Sequence, residues 1–150
     1  MNKQLNIAIS TALISMASMP LLAAQDLDAL MKDDNHWAAQ RKDNANTGYS
    51  GLSQINKSNV KHLKMAWSFA TGVNRVPEGA PLVLNDIMYI HTPFPNNIYA
   101  LDLNDNQKIL WTYFPKQDPS VQAVMCCDTV NKGLGYGDNK IFLQQNDGML

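Results

Sequence analysis

From Met65 onward, short apolar runs alternate with Gly, Pro, Asn and Asp, a pattern of strands and tight turns rather than helices. Residues 66–70, 81–84, 87–91, 98–101, 109–114 and 140–144 each read as a strand, and Asn85-Asp86 separates two of them as a two-residue hairpin connection does. Before this point the chain behaves differently. Leu27, Leu30 and Met31 fall at helical spacing within residues 26–32, which predicts one short helix. Residues 38–62 are polar, with Asn44, Asn46, Gly48, Ser50 and Gly51 in a loop, and residues 53–63 form an irregular lead-in or a single helical turn. The fold class expected is all-β.

Two internal similarities organise these strands. Met65-Ala66-Trp67-Ser68-Phe69 recurs as Ile109-Leu110-Trp111-Thr112-Tyr113, and residues 85–90 (Asn-Asp-Ile-Met-Tyr-Ile) recur as residues 138–143 (Asp-Asn-Lys-Ile-Phe-Leu). Both offsets lie near the roughly 40–50 residues of a propeller blade, in which four short strands bury their sheet faces against the next blade. Residues 141–150 read as a strand, a turn and the apolar start of another strand, so the sequence is expected to be the N-terminal piece of a longer protein.

Residues 1–24 carry a single charge, Lys3, then an apolar and small-residue run over 7–19, then Leu21-Leu22-Ala23-Ala24 ahead of Gln25-Asp26. This predicts a signal peptide cleaved near Ala24 and a periplasmic product. As a membrane anchor the run is too short for about 30 Å of hydrocarbon, and Ser10, Ser15, Ser18 and Pro20 dilute it. No cysteine stands near the cleavage point to take a lipid. The organisation expected is therefore residues 1–24 as signal, 25–64 as lead-in and 65–150 as the opening, truncated blades. Loss of Lys3 with the leader moves the formal net charge from −1 to −2, which gives no reason to expect nucleic acid or an anionic bilayer as partner.

The chain has 2 cysteines, Cys126 and Cys127, and they are adjacent. A disulfide normally sets Cα atoms about 4.4–6.8 Å apart, whereas a trans peptide holds neighbours at about 3.8 Å, so joining these two makes a small ring. Closing a two-residue loop removes little unfolded-state entropy, so such a ring serves better as a rigid surface than as a staple. Two reduced buried side chains, or a thiol-redox or soft-metal site, are the alternatives. His36, His62 and His91 have no partner at metal-ligand spacing and read as ordinary surface or strand residues; Asp102, Asp105 and Asp128 read as turn residues.

The stretch from Tyr99 to Trp111 resembles the tryptophan docking motif of quinoprotein propellers. Ala100-Leu101-Asp102 stands for its Ala-x-Asp strand, Asn104 or Asn106 for the turn glycine, and one extra residue precedes Trp111. Pro77-Glu78-Gly79-Ala80-Pro81-Leu82-Val83, Thr92-Pro93-Phe94-Pro95-Asn96-Asn97, Val124-Met125-Cys126-Cys127-Asp128-Thr129-Val130-Asn131 and Gln54-Ile55-Asn56-Lys57-Ser58-Asn59-Val60 together resemble the N-terminal part of methanol dehydrogenases dependent on pyrroloquinoline quinone (PQQ). The form of Pro93-Phe94-Pro95 and of Met125-Cys126-Cys127-Asp128-Thr129 is closer to the lanthanide-dependent branch than to the calcium-dependent large subunit.

That resemblance implies an eight-bladed propeller in which a Cys126–Cys127 disulfide covers one face of PQQ, and a tryptophan from later in the chain covers the other. It implies that Glu78 contacts the quinone. Lys132 occupies the position of a family arginine, five residues beyond Cys127, where it keeps the charge but loses the planar fork of donors. The metal ligands, for a lanthanide or calcium ion, and the catalytic aspartate fall beyond Leu150, so the stretch to Leu150 holds neither. The activity implied is oxidation of methanol or another primary alcohol to the aldehyde, with electrons passed to cytochrome c; a homodimer is left open. A quinoprotein ethanol dehydrogenase and a non-catalytic envelope propeller scaffold are the rival readings.

Overall fold

A computed structural model describes residues 26–150; the expected signal peptide lies outside the described residues. Asp26 caps helix α1 (Leu27–Lys32) by accepting the Asp28 N–H at 3.0 Å, and Lys32 sits in the last turn. Six residues are too few for a helix to hold itself in water. Burial does it instead: Leu30 and Met31 join Ala38 and Leu84 in a cluster that also touches Leu27, Ala39, Tyr89, Tyr136 and Ile141.

Four strands follow as an antiparallel meander in chain order: β1 (Leu82–Leu84), β2 (Ile87–His91), β3 (Ile98–Asp102) and β4 (Lys108–Tyr113). Trp37 extends the β1 edge through a two-way bridge to Val83, with N···O distances of 2.8 and 3.0 Å. Asn85 and Asp86 both take positive φ, 50° and 60°, the twist that a two-residue hairpin turn requires and that Asn and Asp tolerate better than branched residues. In the β3–β4 turn the left-handed positions are Asn106 and Gln107, so of the two asparagines expected to replace glycine, Asn106 does so. Asn104 instead donates its backbone N–H to Asp102 and its amide to Asp86. A register shift at Ala100/Leu101 absorbs the extra residue before Trp111.

A second hairpin, β5 (Leu134–Gly137) and β6 (Lys140–Leu143), turns at Asp138-Asn139 with the same positive φ pair, 48° and 54°. The internal repeat of 85–90 in 138–143 is thus a repeated turn and returning strand. The second hairpin packs on the meander through Leu82, Ile98, Leu134 and Leu143, with Tyr89, Tyr136 and Ile141 around them. Among the described residues the regular structure is mostly strand, and all-β describes it.

Two expectations need correction. Residues 66–70 form no strand, because no described segment pairs with them; Phe69 meets Tyr99 edge-on at 5.2 Å instead. β5 carries Gly135 and Gly137, which depress strand propensity, so its sequence gave no strand pattern; pairing with β6 and burial of Leu134 impose the conformation.

Candidate functional site

The site grows from a segment without sheet. Asp118 caps a 3₁₀ turn (Pro119–Val124) by accepting the Ser120 N–H at 2.9 Å, and that contact holds its carboxyl below the usual carboxylate value. The chain then reaches Cys126 and Cys127, joined in a disulfide with an S–S distance of 2.07 Å. With both sulfurs bonded, neither is left as a thiolate ligand or nucleophile.

Cys127, Asp128 and Thr129 run consecutively through the left-handed region, with φ of 63°, 59° and 64°. L-residues there cost about 1–2 kcal/mol each, so the surrounding contacts have to impose the turn. Arg75 donates to Asp128 at 2.9 Å and to Gln122 at 3.5 Å, while the Phe94 N–H donates to the Thr129 carbonyl at 3.0 Å. Asn131, buried, accepts the Gly133 N–H and donates to the Gln144 carbonyl, each at 2.9 Å. These links aim the disulfide at a cavity of about 360 Å³ lined by Val124, Met125, Cys126, Cys127, Val130, Lys132 and Asn146.

The expected charged residues meet at its rim. Lys132 forms an ion pair with Glu78, across a separation of 54 residues in the chain. Behind them Gly79 lies against Gly133: a Cβ on Gly79 would stand 2.8 Å from the Gly133 Cα and 2.2 Å from the His91 ring, so only glycine allows this approach. His91 ends β2, buried, and its Nε2–H donates to the Asn131 carbonyl at 3.2 Å. Burial pushes its pKa down, with that carbonyl opposing, so the ring is held neutral.

The four expected cofactor residues, Glu78, Cys126, Cys127 and Lys132, therefore fall in one neighbourhood: three line the cavity and the fourth is paired to its lysine. Sequence reasoning gave no role to Gln40, Arg75 and Asn131, and read His91 as an ordinary surface or strand residue. None carries a spacing signal, since each makes a contact with a segment remote in the chain.

Two of the larger cavities have different character. One of about 650 Å³ lies beside α1, where Lys42 is consumed by the carbonyls of Asp33 and His36 at 2.7 and 2.8 Å. The other, about 640 Å³, is a cleft between β4 and β6 lined mostly by apolar side chains. The first is lined by Asp28, Lys32, Asp34, Lys42 and Asp43, with Lys42 also paired to Asp34 at 3.5 Å, and the second holds no charged side chain. Among the described residues no group of three or more His, Cys, Asp or Glu side chains could hold a metal ion, and no helix is long and apolar enough to cross a membrane.

Comparison with known proteins follows the same line. The chain is 55% identical over 134 residues to a lanthanide-dependent methanol dehydrogenase of Methylorubrum extorquens, covering 89% of this chain and 22% of that protein. It is 47% identical over 150 residues to methanol dehydrogenase (cytochrome c) subunit 1 of Paracoccus denitrificans, covering 96% of this chain and 24% of that one. A europium-containing methanol dehydrogenase superposes with a TM-score of 0.77 at 48% identity, over 79% of this chain and 21% of its own. The chain thus spans less than a quarter of the length of these relatives. The family model for the PQQ-type glucose/ethanol/alcohol dehydrogenase β-propeller domain matches residues 37–150, and the chain belongs to that family.

Proposed function

We propose that this chain is the N-terminal part of a periplasmic quinoprotein that oxidises methanol or another primary alcohol to the aldehyde, using PQQ and a lanthanide or calcium ion and passing electrons to cytochrome c. The observation that carries the reading is the disulfide platform with the Glu78–Lys132 pair at its edge. A planar quinone bearing three carboxylates needs a flat, polarizable, apolar face and cationic groups at its rim. Cys126, Cys127, Met125, Val124 and Val130 supply the first and Lys132 the second, within a volume in the about 300–1,000 Å³ range of ligand sites. The residues fit the group.

When bound, the quinone supplies the two-electron acceptor and the metal its polarisation. The chain's own residues bind and orient. The disulfide would offer the ring system a flat face, and Lys132 would meet an anionic edge group as a point charge. Glu78 is already paired with Lys132, so a carboxylate of the cofactor at that edge would meet a compensated ion pair instead of an uncompensated like charge. The 55% identity to a lanthanide-dependent relative and the superposition on a europium-containing methanol dehydrogenase support the lanthanide form of this reading.

The test is reconstitution of the full-length protein with PQQ and either a lanthanide or calcium, followed by methanol-dependent reduction of cytochrome c. Retained quinone absorbance and alcohol-dependent turnover are expected; a protein that retains no quinone with either metal overturns the proposal.

A further inference from the structure

Gln40 lies far from the cysteines in sequence, in the polar lead-in, yet its amide meets both charge-bearing loops. Its Oε1 accepts the Ala80 N–H at 2.8 Å, and its Nε2 donates to the carbonyls of Ala80 and Leu134 at 3.4 and 3.3 Å. The partners dictate the orientation, since an N–H needs the amide oxygen and two carbonyls need the amide NH₂. Its flat face lies over Gly133, where a Cβ would stand 1.7 Å from Nε2 and where φ is +135°. Gly79 packs on the Gly133 Cα, so Gly79 contacts Gly133 and Gly133 contacts the Gln40 amide. The residue before each glycine is charged: Glu78 before Gly79, Lys132 before Gly133, and these two are the pair at the cavity rim.

We propose that Gln40 is the positioning residue that clamps these two loops together and so places Lys132 and Glu78 at the edge of the disulfide-floored cavity. The proposal rests on the quinone-binding reading above and adds to it a residue outside the lining of the disulfide-floored cavity. A side chain that bridged only one loop would stabilise that loop. One that bridges both sets the distance between the charges they carry.

The experiment uses the full-length protein with Gln40→Met, near in size but without hydrogen bonds, and Gln40→Glu, which keeps the acceptor for Ala80 but loses the donor to both carbonyls. Hydrogen exchange on the protein without PQQ reads the clamp itself. Exchange at 78–80 and 132–135 is expected to rise about tenfold in Gln40→Met, the loss of one hydrogen bond's worth of protection, with the β2–β3 amides unchanged. PQQ titration reads the consequence: affinity falls about tenfold in Gln40→Met and less in Gln40→Glu. In a Lys132→Ala background, the further loss from Gln40→Met shrinks to about twofold or below, since the residue being positioned is gone.

Equal losses in both backgrounds overturn the proposal, as does unchanged exchange in the two loops. Global unfolding of both variants also overturns it, making Gln40 a fold residue. A wild-type protein that binds no PQQ overturns the quinone reading instead, while the exchange arm still decides the clamp.

Discussion

The four-stranded meander and the cysteine segment sit side by side and keep their shapes by opposite means. In the meander each strand is closed by its neighbour, in unbroken register from Ile87↔Asp102 to His91↔Ile98 between β2 and β3, and β3 is buried along nearly its whole length. In the cysteine segment no ladder exists. Its left-handed run is held by single contacts, Arg75 on Asp128 and Phe94 on Thr129, and the stretch after it by Asn131 on Gln144 and Gln40 on Leu134. A ladder repeats the same bond, so losing one is a local event. A loop pinned by unlike contacts can be shaped for a ligand without disturbing the sheet, and one change can undo it.

That contrast can be broken most forcefully from the sheet side. Leu82→Ala empties a position that is 0% exposed, at the junction of both hairpins. A loss of about 2–5 kcal/mol is expected, read by denaturant unfolding of the full-length protein, with both regions failing together. Asn85→Ala puts a residue with Cβ and no local hydrogen bonding at φ 50°. It should cost about 1–2 kcal/mol by the same measurement and leave the cysteine segment intact.

Changes on the loop side should be small in stability and large in ligand binding. Cys126→Ser opens the ring; because it closes only two residues, stability should stay within about 1 kcal/mol. PQQ affinity should nonetheless drop about tenfold through lost sulfur contact, and a stability loss like that of Leu82→Ala would mean the disulfide is a staple after all. Smallest in stability is Lys132→Arg, within about 0.5 kcal/mol for an exposed side chain. It should sharpen the comparison by raising PQQ affinity up to about tenfold through a second charge-assisted hydrogen bond.

The pH response has a sign rather than a size. His91 has its pKa lowered in the fold by burial, so the unfolded chain binds its proton first as pH falls. Stability from this group is full above the ordinary value of 6.5 and declines as pH drops below it, reaching its floor below the folded-state pKa. The Asp33, Asp43 and Asp118 carboxyls, held below 3.8 chiefly by hydrogen bonds from Asn35, Thr47 and Ser120, act lower: their contribution is present above 3.8 and is lost as pH falls through their folded values. Unfolding midpoints at a series of pH values check this, with the upper decline absent in His91→Gln.

Much of the scaffold was legible because its signals are local. Alternation placed β1, β2, β3, β4 and β6 to within a residue or two at each end, and Asn85-Asp86 announced its turn, since left-handed φ needs particular residues at particular places. The short helix followed from the spacing of Leu27, Leu30 and Met31. The adjacent cysteines marked a candidate ligand surface by residue type, whereas Glu78 entered through the family resemblance. What local pattern cannot contain is who pairs with whom. Residues 66–70 have every mark of a strand and lack a described neighbour, whereas β5, half glycine, becomes a strand because β6 lies beside it. The Glu78–Lys132 pair and the Gln40 clamp across both their loops belong to this second kind. Sequence alone determined which backbone shapes and which chemical groups the chain could offer; tertiary structure decided which of them meet, because a contact between segments remote in the chain exists only once burial and hydrogen bonding have brought them together.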